Sequence, residues 1–362
     1  MVDAWDGVEI TRVHCLSAPS YPPSILCFED NTEETLSFLS KLSGKFGGKG
    51  SSKKKSWIKL NNKGVPTIKG YTSFNKISDF GTAPALVLAA IYDRAVSDSI
   101  QVPPAIDFPN WSRMAYQTLY ELGFFEIIGH SPAEIIREVY EEKVKSSYKV
   151  SKILSGRNAD GLEQASDVIL ELLDYLSVDA GLSENLVPDI NSAISEAMIN
   201  VARHAYPQEF VSNSRHNLPK KWWMSAKADR NKNTLTIVVY DQGASIPGTL
   251  PKRAWYKETV EAVMKSIISD FDYAGSKNLI DHEFINFSMK RGKTQTNDVS
   301  RGLGLPQMQD LIDACPDGTL SILSRNGLYK YGKGVGVFKR RLDTALEGTL
   351  VEWELTLPMV VS

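Results

Sequence analysis

What the chain is short of narrows its class first. It has three cysteines in 362 residues, Cys15, Cys27 and Cys315. None stands at metal-ligand spacing, and pairing any two leaves one over. That excludes a disulfide framework and a thiolate zinc site, and it predicts reduced thiols in a cytoplasmic setting. No sign of charge dominates: 41 Lys and Arg stand against 43 Asp and Glu, a formal net charge of -2. Nucleic acid and anionic membrane are therefore not indicated as partners. Long apolar runs are missing too. The longest, 83–92, is about half of what a bilayer span needs. The N-terminal MVDAWDGVEITRVHC has no basic segment followed by an apolar core, so no secretory leader is expected. What remains is an ordinary globular composition, 42% hydrophobic and 23% charged, sufficient for two domains or three.

The first interruption, GKFGGKGSSKKK at 44–55, reads as a solvated flexible loop. Its Gly48-Lys49 pair imitates a phosphate-binding P-loop. That motif needs Gly at 43 and Ser or Thr at 50, and Ser and Gly stand there instead. The lysines at 53–55 have no interleaved aromatics on which bases could stack. A strand is expected at 56–62 and a helix at 80–95, with Thr82 near its cap and Pro84 in its first turn. A short strand at 106–109 precedes a helix over 111–128 that ends at Gly123 and runs into a short apolar strand. These pieces describe a small α/β domain over 1–130. Residues 131–160 then read as a connecting helix opened by Ser131 and Pro132, with Glu134 at its third position, a strand pattern at 148–154 and a turn.

The remainder, 161–362, begins with an amphipathic helix predicted over 162–182 and a second from about 189 to 205. Strand patterns follow at Trp222–Asp229 and Leu235–Tyr240. After a polar excursion over 244–300, a helix opens at Gly302–Gly304. Strand patterns at 320–324 and 349–357 finish the chain. Helices and strands mix without strict βαβ alternation, which predicts an α+β fold.

Four segments in this half carry chemistry. In ISEAMINVARHAY, 194–206, Glu196, Asn200 and His204 are spaced by four and share one helix face, opposite an apolar face. In LTIVVYDQGASIP, 235–247, a buried strand ends in Asp241, which can accept a hydrogen bond from an exocyclic amine. Gly243 would let a ligand approach the backbone. In SRGLGLPQMQDLIDA, 300–314, glycines at a loop-to-helix junction offer N–H groups to an anion, reinforced by the helix dipole. In GTLVEWELTLP, 348–358, a Gly-Thr pair enters the terminal strand. Each segment alone also reads as a solvated helix face, an Asp turn, a Gly-rich packing turn or an ordinary strand entry.

Taken together and in this order, Glu-x-x-x-Asn, Asp-x-Gly, Gly-x-Gly-Leu and Gly-Thr resemble the four boxes of the GHKL ATPases, the superfamily of gyrase, MutL proteins, Hsp-type chaperones and histidine kinases. The resemblance covers about residues 160–360. The first box is most similar to that of the anti-sigma-factor serine kinases, and SRGLGLPQM to that of histidine kinases, with Ser300 where a glycine often stands. Ser245 departs from the second glycine of Asp-x-Gly-x-Gly.

The resemblance implies a Bergerat-type sandwich, a mixed sheet with helices on one face, holding ATP under a lid at about 244–301. It further implies that Asp241 accepts from the adenine amino group, directly and through a water shared with Thr349, and that Gly243 belongs to the same site. Asn200 would meet Mg²⁺, and Glu196 would activate the water. Arg301, Gly302, Leu303, Gly304 and Leu305 would hold the phosphates, with Lys290, Arg291 and Lys293 as lid cations. No histidine stands in a phosphoacceptor motif, so an autophosphorylating histidine kinase is not expected. A transducer domain like those of gyrase and MutL is not expected in cis. The first domain resembles STAS-like partners of bacterial anti-sigma kinases, in which Thr82 would be the hydroxyl to modify. Three readings stay open: an ATPase switch acting on a protein partner or a homodimer, a serine/threonine switch kinase, and a nucleotide-sensing scaffold.

Overall fold

The computed structural model describes residues 1–47, 57–129, 134–143, 147–158, 161–177, 180–207, 220–249, 281–291 and 304–357. The chain divides into two compact units, Met1–Ile153 and Leu154–Ser362. No helix among the described residues is long and apolar enough to cross a membrane.

The first unit contains β1 (Val2–Trp5), β2 (Ile10–Cys15), β3 (Ile25–Leu26), α1 (Thr32–Gly47), β4 (Ile58–Leu60), β5 (Pro66–Ile68), β6 (Asp79–Phe80), α2 (Thr82–Ser97), β7 (Ala105–Ile106), α3 (Arg113–Glu121), α4 (Phe124–Ile127), α5 (Glu134–Lys143) and β8 (Tyr148–Val150). Five strands form a sheet in the order β4-β5-β2-β1-β7. α2 is apolar nearly all round, with every residue from Thr82 to Tyr92 buried, as a helix at the centre of a unit must be. Thr82 is its first residue and only 4% exposed, so its hydroxyl is not presented to a modifying enzyme.

The apolar strand expected after Gly123 is a helical turn instead. Gly123 takes φ +80 and turns the chain so that the adjacent Phe124 and Phe125 are both buried. One ring packs edge-on to Tyr92 at 5.0 Å and the other stacks on Trp111 at 5.8 Å. In a strand, neighbouring side chains would point to opposite faces. A cavity of about 80 Å³ lies among Phe46, Trp57, Tyr71 and Trp111. It is about half the size of an engineered cavity that holds one benzene, roughly 150 Å³.

The second unit contains β9 (Leu154–Gly156), α6 (Leu162–Tyr175), α7 (Ala180–Asn200) with a π-helical continuation (Val201–Ala205), β10 (Trp222–Asp229), β11 (Thr234–Asp241), α8 (Ile246–Thr249), α9 (Asp281–Arg291), α10 (Gly304–Ala314), β12 (Asp317–Gly332) and β13 (Gly336–Thr356). The sheet runs β12-β13-β11-β10, with β9 also pairing β10, and the pairings among these five strands are antiparallel. Alternate residues, among them Met224, Ala226, Ile237, Val239, Ile322 and Trp353, face a core completed by α6, α7, α9 and α10.

Two helix boundaries differ from the sequence expectation. α6 stops at Tyr175, because Ser177 takes a left-handed φ of 58. α7 begins at Ala180 and runs through Pro188. A proline ring normally ends a helix. Here it lies on the exposed side, and the buried Leu186 and Ile190 hold the helix down on either side of it.

The last two strands are far longer than 320–324 and 349–357. Beyond the main sheet, residues 325–347 continue as a paired arm. It passes an irregularity at Arg325–Gly327 and turns at Lys333–Val335. Its four glycines and string of cations read locally as loop, and only cross-strand pairing makes it strand. Gly327 is required there: a Cβ would come within 2.7 Å of the Asp281 backbone at the start of α9.

Candidate functional site

Strand register assembles the first part of the site. Asp241 pairs with Thr349, and Thr349 with Ser324. These residues share the phase of the core-facing side chains on three adjacent strands, one step beyond the apolar row Val239, Val351 and Ile322. All three are buried. A polar row therefore closes one end of an otherwise apolar, helix-covered face. The Thr349 and Ser324 hydroxyls are 2.9 Å apart, and Ser324 Oγ also accepts from the Ile246 N–H at 3.1 Å. Sequence reasoning passed over Ser324. The available signal was a polar residue at the core phase of LSILS.

Asp241 is the electrostatic focus. It is 5% exposed, and no cation among the described residues enters its surroundings. Burial raises its pKa from 3.8 to about 7, against the opposing hydrogen bonds from the Gly243 and Thr349 backbone N–H groups. The Gly243 N–H lies 2.7 Å from Oδ1. A buried carboxyl poised in this way marks a functional-site candidate, because structure alone gains little from it.

The helix bearing Glu196 and Asn200 reaches the same place. Ala244 N–H donates to Ala205 O at 2.6 Å. The Tyr206 hydroxyl donates to Lys221 O at 2.9 Å and accepts from the Gln242 N–H at 3.2 Å. A Cβ on Gly243 would stand 2.3 Å from Ala205 O, so this glycine is needed by the protein's own helix end and not only by a ligand. Gly348, at φ +83, is tighter still: a Cβ there would meet Asp241 O at 1.9 Å.

The π-helical turn at Val201–Ala205 was not legible in the sequence. Such bulges are inserted turns that concentrate at functional sites. Its wider turn carries His204 out of the strict four-residue phase shared by Glu196 and Asn200.

Glu196 and Asn200 are half-buried and linked, with Asn200 Nδ2 donating to Glu196 Oε1 at 3.0 Å. That bond commits the amide nitrogen and leaves the carbonyl oxygen as the atom a hard cation would take. Burial raises the Glu196 pKa, while Asn200 and Arg203 act to lower it.

Ser245 takes φ 72 and is buried. It adopts the left-handed backbone that glycine otherwise supplies, and its hydroxyl accepts from the Gly248 N–H at 3.2 Å, capping α8. The substitution thus preserves the turn.

Gly304 is the first residue of α10, and Leu305 follows on the same helix. Lys290 and Arg291 end α9, with side chains outside the described residues. Lys293, Arg301, Gly302 and Leu303 also lie outside them, as does most of the expected lid; α8 and α9 are its described parts. The structure thus brings Asp241, Gly243 and Thr349 together with the end of the Glu196–Asn200 helix.

Residues 159–322 match the family model described as the histidine kinase-like ATPase domain. No curated protein matches the chain.

Proposed function

We propose that the protein hydrolyses Mg·ATP in the domain that matches the histidine kinase-like ATPase family at residues 159–322, and that its nucleotide state acts as a switch on a protein partner. The observation that carries the reading is the buried, uncompensated Asp241 in its polar row. A carboxylate there has no charged partner among the described residues, and adenine offers an amino group to it. Thr349 and Ser324 supply the hydroxyls beside it. Leaving the buried carboxylate with only its two backbone N–H donors costs roughly 1–3 kcal/mol, which is what ligand recognition recovers.

Glu196 and Asn200 supply the other half. Asn200 would hold Mg²⁺ through its amide oxygen, and the ion would supply charge neutralisation for the phosphates. Glu196, oriented by the Asn200 amide, accepts a proton from the water that attacks the γ-phosphorus, so that ADP leaves and inorganic phosphate forms. The start of α10 at Gly304 offers backbone N–H groups and the positive end of a helix dipole to the phosphates. By resemblance, Gly302, Leu303, Leu305 and Arg301 belong to the same end, and Lys290, Arg291 and Lys293 to the lid. The partner, or a second copy, would respond to lid position.

The test is Mg²⁺-dependent turnover of γ-labelled ATP, with free phosphate and protein-bound label both counted. Glu196→Ala is expected to lower phosphate release by about 100-fold or more while adenosine still binds. Label retained on protein, in place of free phosphate, would overturn hydrolysis in favour of a kinase. Turnover unchanged in Glu196→Ala would remove that residue's role.

A further inference from the structure

The arm of β12 and β13 holds the helices on either side of residues 292–303, and its grip on α10 goes beyond packing. α10 has eleven residues, and its last carbonyls have no partners within the helix. No glycine follows to form a left-handed cap; Cys315 and Pro316 do. The Cys315 N–H takes Ile312 O at 3.3 Å, and Lys333, at the turn of the arm, takes the next carbonyl and one just past the helix. Its Nζ donates to Asp313 O at 2.9 Å and to Cys315 O. Two residues earlier, the Tyr331 hydroxyl donates to Asp313 Oδ1 at 2.6 Å. From the sheet, the Trp353 indole N–H reaches Met308 O at 2.9 Å. The same arm holds α9: Asp281 accepts from the Asn326 N–H at 3.1 Å and pairs with Arg325 at 3.5 Å, and Lys339 pairs with Glu283 at 2.5 Å.

We propose that Lys333 is a positioning residue for the phosphate end of the nucleotide site. The inference rests on the ATP reading given above. An eleven-residue helix is a rod about 16 Å long, so fixing its C-terminal carbonyls fixes where the N–H groups at Gly304 point. The lysine charge also sits at the negative end of the helix dipole, leaving the positive end for phosphate. Among the described residues, the bonds from Lys333 and Tyr331 to α10 involve none of the polar row Asp241, Thr349 and Ser324. Lys333 should therefore govern the phosphates and leave the base alone.

The full-length protein separates these contributions when titrated with adenosine, Mg·ADP and Mg·ATP. Lys333→Met removes both charged hydrogen bonds and is expected to weaken both nucleotides about tenfold or more, with adenosine unchanged. Lys333→Arg should restore most of the loss. Tyr331→Phe, which removes the hydroxyl bonded to Asp313 and Gln309 on the same helix, should act in the same direction by about threefold. Equal weakening of adenosine and the nucleotides would mean general destabilisation and would overturn the proposal, as would no change in either. Wild-type protein that binds neither adenosine nor ATP would overturn the ATP reading itself, and this inference with it.

Discussion

Asp241 shows how a single residue links folding to binding. Its pKa of about 7, against 3.8 for an unburied carboxyl, means that the folded empty protein holds this proton more tightly than the unfolded chain does. Folding stability from this group is therefore present below about pH 4 and is lost as pH rises toward 7, on the order of 4 kcal/mol across that window. Under the proposed role of Asp241, binding has the opposite sign, because only a carboxylate would accept the adenine amino proton. Adenosine affinity should rise about tenfold per unit up to pH 7 and level off above it. Calorimetric titrations between pH 5.5 and 8.5 would show this, and Asp241→Asn should give a flat profile with weakened selection of adenine over guanine. A wild-type profile flat across pH 7 would remove Asp241 from base recognition.

At the scale of elements, glycines of like backbone conformation separate into different roles. Gly348 and Gly334 have φ +83 and +72. The Cβ position of Gly348 falls 1.9 Å from Asp241 O, while Gly334 has nothing within 4 Å. Gly334→Ala should cost only the left-handed strain, about 1 kcal/mol. Gly348→Ala must push β13 away from β11 at the polar row and should cost about 3 kcal/mol or more, with loss of adenosine binding. Urea midpoints of the two variants measure the difference. The spacing of Glu196 and Asn200 was legible because helical periodicity is local. The π turn that follows was not, since tertiary contacts from Ala205 and Tyr206 to residues 242–244 hold it. The arm at 325–347 was missed for the same kind of reason: its glycines and cations have little strand propensity, and its pairing is a property of two segments together.

For the molecule as a whole, the thiols report on opening. Cys15 and Cys27 are partly exposed, whereas Cys315 is buried and burial pushes its thiol up to about 11. Two thiols should react with a disulfide reagent in the native state and the third only as α10 and its surroundings open. A nucleotide bound at the other end of α10 should slow the Cys315 reaction by about 100-fold at 100 times its dissociation constant. Equal rates with and without ATP would disconnect that opening from the nucleotide site.

The sequence by itself carried the resemblance of the second unit to GHKL-type ATPase domains, since the four short motifs behind it are local patterns of residue type and spacing. It also placed β10 and β11, because apolar runs bounded by the turn residues at 230–233 are local signals. Only the tertiary structure decided that Asp241, Thr349 and Ser324 form one polar row, which depends on strand register. It also decided that Gly243 makes room for Ala205, that Ser245 keeps a glycine's backbone, and that Lys333 closes the far end of α10. The polar row, the Gly243–Ala205 approach and the Lys333 contacts join residues 18 to 108 positions apart in the sequence, and a linear pattern carries no distance between its parts until the chain has folded.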